Sequence, residues 1–127
     1  MILDDYDFTI KQNDRLPALQ ATLEDGEGNP VDLTGTTIKF KMRGASATTL
    51  KVDAGATIVS PTLGTVKYEW AAAETDTPGD YYGEFEVTSA GKTLTFPNGA
   101  HLFIRVLDDL WAAHRYLPRS LPTWWVS

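Results

Sequence analysis

The sequence contains no cysteine. Disulfides, thiolate metal ligands and thiol nucleophiles are thereby excluded, while the compartment stays open. Histidine is scarce: only His101 and His114 are present, and their spacing does not suit a zinc site. No apolar run approaches the roughly 20 residues a membrane-spanning helix needs, so no membrane partner is expected. The N-terminal stretch MILDDYDFTI is acidic and lacks the basic start and apolar middle of an export signal, so cytoplasmic synthesis is the expectation. There is no GxSxG, no P-loop and no glycine-rich dinucleotide turn, and no serine has an indicated base. These absences predict a protein that is not an enzyme and uses no cofactor and no metal.

At 127 residues the chain has the size of one domain and can bury about two-thirds of its unfolded surface without a staple. Its net charge of −6 is placed unevenly. Residues 1–36 hold eight acids against Lys11 and Arg15, whereas residues 37–127 hold nine charges of each sign. Nucleic acid is not an expected partner, because backbone binding needs clustered Lys and Arg. The acidic first third reads as a solvated edge, with docking of a basic partner as the alternative. The nearest approach to a metal motif is DGEGN, Asp25 to Asn29, which mimics the start of a calcium loop. Pro30 and Thr36 then stand where glycine and glutamate are required, so a plain turn is the better account.

The dominant pattern is alternation with period two, in short bursts separated by turn residues. It picks out Phe8 and Ile10; Leu19, Ala21 and Leu23; Ile38, Phe40 and Met42; and Val66, Tyr68 and Trp70. It continues with Tyr81, Gly83, Phe85 and Val87, then Leu94 and Phe96, then Leu102, Ile104 and Val106. Val52 to Val59 reads as a weaker strand interrupted by Gly55, residues 44–51 as a loop, and Trp70 to Thr75 as one helical turn. Ala90-Gly91 has hairpin spacing. Seven or eight short strands at this spacing predict an all-β fold, an antiparallel β-sandwich or a small barrel, with the sandwich as the leading expectation.

The stretch ETDTPGDYYGEFEV, Glu74 to Val87, places a Pro78-Gly79 turn directly before Tyr81. Pro78 fixes φ and Gly79 supplies a conformation other residues resist. Tyr81 shares the inward parity of Phe85 and Val87, so its hydroxyl needs a partner in the loop: Thr75, Asp76 or the backbone. Pro78, Gly79 and Tyr81 are thus the candidate structural corner, of the kind that pins a crossover in two-sheet sandwiches. Tyr82 should face outward with Glu84 and Glu86.

The order of these motifs carries a resemblance. NDRLPALQATLEDGEGNPVDLTGTTIKFKMR is followed by GTVKYEW, DTPGDYYGEFEV, GKTLTFPN and a final apolar strand. This resembles the immunoglobulin-like N-terminal domain of the upper baseplate proteins of tailed bacteriophages, over about residues 8–106. The resemblance implies an immunoglobulin-like β-sandwich that serves as a virion structural module between the baseplate core and receptor-binding proteins. It implies partners among other virion proteins, many copies or a homo-oligomer, and a virion location after synthesis in the host cytoplasm. Such family members commonly continue into long linkers. Here Leu107 to Ser127 does not fit the family pattern, which keeps capsid decoration or a head–tail position as the alternative role.

The chain therefore divides into a sandwich, residues 1–106, and a C-terminal arm, residues 107–127. The arm should start with a short helix, Asp108 to Leu117, ended by Pro118 and followed by an extended path. Three of the four tryptophans lie in the last 17 residues. Exposed rings of that size invite aggregation, so something must cover them: the sandwich itself or a neighbour. Trp111, Arg115, Tyr116, Arg119, Trp124 and Trp125 are the candidate interface residues, since aromatics and arginine dominate binding hot spots. A carbohydrate-binding module is the second alternative, with Tyr82, Phe103 and the arm tryptophans as stacking rings.

Overall fold

The computed structural model describes residues 6–97 and 100–108. Eight strands form in chain order: β1 (Phe8–Lys11), β2 (Leu19–Thr22), β3 (Thr37–Gly44), β4 (Leu50–Ser60), β5 (Thr65–Tyr68), β6 (Gly79–Ser89), β7 (Lys92–Phe96) and β8 (Leu102–Leu107). There is no helix among the described residues. The alternating segments become strands because each offers one apolar face to a shared interior.

The hydrogen-bonded order is β1-β8-β6-β3-β4-β5-β2, with β7 also on β6. β1 runs parallel to β8, and every other pairing is antiparallel. The path folds over on itself at β4. The first part of β4 pairs β3 as far as Ala56 opposite Ile38, and its last part pairs β5 from Thr57 opposite Lys67. One sheet therefore holds β1, β8, β7, β6, β3 and the start of β4; the other holds the end of β4, β5 and β2. This is an all-β sandwich in which one strand changes sheets, with an immunoglobulin-like strand order.

Two local expectations change. Val52 to Val59 is the middle of an 11-residue strand, one of the two longest in the molecule, rather than a weak one. Ala54, Gly55 and Ala56 sit where β4 passes from one sheet to the other, and small residues there allow the bend without side-chain crowding. Gly55 thus marks a bend instead of an interruption. The stretch from Trp70 to Thr75 forms a turn and no helix, closed by Glu74 N donating to Ala71 O at 3.3 Å. The Ala90-Gly91 hairpin turn has both residues at positive φ, 51° and 79°, the geometry that matches strand twist.

The core lies between the sheets. Ile38, Phe40 and Met42 of β3 face Val66, Tyr68 and Trp70 from the other layer, flanked by Phe85, Val87 and Ile104. Phe40 is fully buried, with ring centroids 4.8 Å from Tyr68, 5.1 Å from Phe85 and 5.8 Å from Trp70, the last edge-on. Such tilted and edge-on pairs are the favoured aromatic arrangements. Gly83 of β6 makes room for this cluster: a Cβ there would stand 3.0 Å from Phe40 Cε1 and 3.0 Å from Ile104 Cδ1.

Gly83→Ala should therefore cost about 1–3 kcal/mol through overpacking, measured by urea unfolding. An unchanged midpoint would show that the Phe40 ring has slack the packing does not reveal.

Candidate functional site

The corner before β6 is built from several convergent bonds. Gly79 has φ 146°, in the region that favours glycine. Tyr81 points inward, 5% exposed, and its hydroxyl donates to Thr77 O at 2.5 Å. Burial pushes the Tyr81 hydroxyl pKa up. The buried Thr75 hydroxyl donates to Asp14 O at 2.8 Å, and Asn13 N donates to Thr75 O at 2.9 Å. Gln12 adds a bond from its amide to Asp76 O, and Lys51 Nζ lies 2.8 Å from Asp76. Pro78 thus ends a loop fastened to the β1–β2 connection, and Gly79 and Tyr81 open β6 directly after it.

A second anchor closes the other end of that loop. The Tyr68 hydroxyl lies 2.7 and 2.9 Å from the two Glu74 oxygens, and Ala71 N donates to Glu74 Oε1 at 2.8 Å. Burial first, then the Glu74 carboxylate, drives the Tyr68 pKa far above its ordinary value. This keeps the hydroxyl protonated as a donor to the carboxylate. Arg15 Nε donates to Trp70 O at 3.0 Å from the opposite loop.

The outer face of the larger sheet is a grid of charges and rings. β3 contributes Lys39, Lys41 and Arg43; β6 contributes Asp80, Tyr82, Glu84 and Glu86; the last strand and its entry contribute His101, Phe103 and Arg105. Ion pairs join Lys39 to Asp53 (3.1 Å), Lys41 to Glu86 (3.2 Å) and Arg105 to Asp80 (2.7 Å), and His101 Nδ1 lies 3.3 Å from a Glu84 carboxylate oxygen. The Arg105 bond holds the Asp80 carboxyl below the usual carboxylate range. Tyr82 faces outward in this grid. Arg43 stands over its ring at 5.4 Å, and His101 stacks on it at 5.1 Å. Phe103 lies between Tyr82 (6.0 Å) and Tyr6 (4.4 Å), and Arg105 covers Tyr6 at 4.5 Å. Tyr82 and Phe103, the candidate sugar-stacking rings, thus have ring surface occupied by neighbours on their own sheet, which disfavours the carbohydrate reading.

DGEGN forms a compact turn. Asp25 Oδ1 accepts from Glu27 N at 2.9 Å and Asn29 N at 3.0 Å, and Asp25 N donates to Asn29 O at 2.9 Å. These backbone donors lower the Asp25 pKa. The carboxylate is turned into its own loop, as a hairpin turn requires. Among the described residues no group of three or more His, Asp or Glu is placed to hold a metal ion.

The surface that sequence reasoning missed is a groove of about 470 Å³ on the open side of the sandwich. Ala21, Thr22 and Leu23 line one wall, and Leu94, Phe96, Pro97 and Leu102 the other, with Phe85 and Val31 behind. Both walls end in strand edges: β2 pairs only β5, and β7 pairs only β6, among the described strands. Leu94 is diagnostic. It lies opposite buried Val87 on the inward face, yet is 50% exposed. Its parity was readable from the sequence, but its exposure was not. Glu24 and Asp25 stand at the rim with no basic partner among the described residues.

β8 runs through Leu107, where Leu107 O accepts from Gln12 N at 2.7 Å. The expected arm helix beyond Asp108 lies outside the described residues, as do the candidate interface residues Trp111, Arg115, Tyr116, Arg119, Trp124 and Trp125.

No known protein family matches the chain, and no curated protein sequence matches it. Among solved structures it is similar to the N-terminal domain of phage TP901-1 ORF48, at 12% sequence identity and a TM-score of 0.48, over 80% of this chain and 83% of that one.

Two outcomes follow from the corner and the grid. Tyr81→Phe should lower stability by about 1 kcal/mol, since it removes one buried hydrogen bond and leaves Thr77 O unpaired; equal urea midpoints would reject that role. Asp80 titrates lower in the folded state than its unfolded value of about 3.9. Its contribution is therefore complete above about pH 4 and is lost as pH falls through the folded value. Asp80→Asn should flatten the acid limb of the stability–pH curve by no more than about 1 kcal/mol, because the pair is partly exposed. A variant curve parallel to the parent below pH 4 would remove Asp80 from the account.

Proposed function

We propose that this chain is a non-enzymatic structural component of a bacteriophage or phage-like particle, placed at the tail or baseplate, where it docks on neighbouring virion proteins. The observation that carries the reading is the ordered set of motifs resembling the upper baseplate immunoglobulin-like domain, over about residues 8–106. Each motif occupies a joint of the fold. LPAL enters β2, and DGEGNPVDLTG makes the connection from β2 to β3. GTVKYEW supplies β5 and the core residue Trp70, Pro78 to Tyr81 opens β6, and Phe96-Pro97 ends β7.

The physical features suit a passive module. The charges of the outer face are spent largely on one another, and the conspicuous polar side chains of the loops hold backbone in place. Docking falls to the aromatic and arginine residues of the arm: Trp111, Arg115, Tyr116, Arg119, Trp124 and Trp125. The partners are other virion proteins, met in multiple copies.

Antibody labelling of purified particles, viewed by negative-stain microscopy, tests this directly. Label at the tail tip is expected. Label over the shell would replace the baseplate role with capsid decoration, and unlabelled particles would overturn the virion reading.

A further inference from the structure

The groove between β2 and β7 has four properties that together define an occupant. Its walls are apolar, from Ala21, Val31, Leu94, Phe96 and Leu102. It is flanked by strand edges of both sheets that pair no other described strand. Its lining includes the acids Glu24 and Asp25, neither with a basic partner among the described residues, although Asp25 Oδ1 is held by backbone N–H groups of its own turn. It exposes Leu94, a residue whose parity belongs to the interior. A fitting segment is extended, rich in large apolar side chains, and carries positive charge beside them.

Residues 115–126 of this same chain, RYLPRSLPTWWV, have that composition. Arg115 and Arg119 complement the acidic rim, and Leu121, Trp124, Trp125 and Val126 match the apolar walls. Pro118 and Pro122 limit the conformations lost on docking. We propose that the groove receives residues 115–126 of a neighbouring copy, so that copies join by exchanging C-terminal arms. The inference rests on the reading of the chain as a multi-copy particle component.

β8 carries the chain away from the groove. Leu102, at the start of β8, lines the groove, whereas Leu107 ends the strand five residues further on, about 17 Å away. The chain is thus heading away from its own groove where the arm begins.

Complementation between two full-length variants tests the exchange, with mass read by light scattering after gel filtration. Leu94→Asp alters the groove at a half-exposed position and should leave the fold intact, which circular dichroism verifies. The double variant Trp124→Ser/Trp125→Ser alters the arm. The parent chain should self-associate, and each variant alone should show at least a tenfold weaker association. Their equimolar mixture should recover a heterodimer, because one copy keeps an intact groove and the other an intact arm. Glu24→Lys should weaken association, and Arg119→Glu in the same chain should restore part of it. A monomeric parent chain, as would follow if each arm filled its own groove, overturns the proposal. So does a mixture that stays monomeric. A monomeric chain that still labels particles would sink arm exchange and leave the virion reading standing. A self-associating, complementing chain absent from particles would do the reverse.

Discussion

The sandwich depends on how Phe40 is housed. Its ring stands at the centre of the interior, touching Tyr68 and Trp70 from the opposite layer and Phe85 from its own. That position lies tight against β6 at Gly83, where a Cβ would be 3.0 Å from the ring. Two sheets about 10 Å apart leave little room for large rings on both inner faces. One missing side chain lets three large rings pack around a fourth. Trp70 is then held at the end of β5 by its contacts with Phe40 and Tyr68, and its carbonyl by Arg15. The loop that follows is tied down by Tyr68 at one end and Tyr81 at the other. Core packing and loop order are thus one network of aromatic side chains, two of which lend hydroxyls to the loop.

The outer face shows a different economy. Basic residues run along β3 and acidic residues along β6; Lys41 meets Glu86 across that strand pair, whereas Lys39 turns to Asp53 of β4 and Asp80 to Arg105 of β8. Such exposed pairs contribute little to stability individually. Their effect is to satisfy the surface from within. Arg43 and Arg105 spend their guanidinium faces on Tyr82 and Tyr6 in the same way. A face so largely engaged with itself presents fewer open rings and lone charges to a ligand than the open side of the sandwich does.

Much of this was legible in the sequence. Ile38, Phe40 and Met42 alternate with Lys39, Lys41 and Arg43, so both the strand and its buried face could be read directly. The position of Tyr81 in the alternation implied a loop partner for its hydroxyl, and Thr77 O fills that need. β4 was harder, because Ala54, Gly55 and Ala56 carry too little side chain to show a face; the same smallness lets the strand bend between sheets. Partners on the outer face were legible by sign but not by identity. Lys41 is level with Glu84 in the register, yet its ammonium reaches diagonally to Glu86. The groove left no mark in the sequence at all. Leu94 looks like any inward residue, and its exposure depends on where a strand from a distant part of the chain stops.

The origin of the groove is a mismatch in strand lengths. β6 has 11 residues, and β7 and β8 share one of its edges in succession. Phe96 lies opposite Phe85 and Leu102 opposite Gly83, so the register of β7 and β8 on β6 is broken where a continuous strand would need one residue between them. The facing edge is the four-residue strand β2, after which the chain turns into the tight Asp25 hairpin. A long edge built in two pieces therefore faces a short one that ends early, and the interior opens between them. Natural sheets avoid bare edges by charge, by proline or by cover, because an uncovered edge beside apolar surface attracts another strand. Here acids stand at the rim and Pro97 stands at the wall, but Leu94 stays half exposed between them. The protection is therefore partial: the edge is interrupted by proline and bordered by acids, while the apolar surface between the two sheets stays open at Leu94.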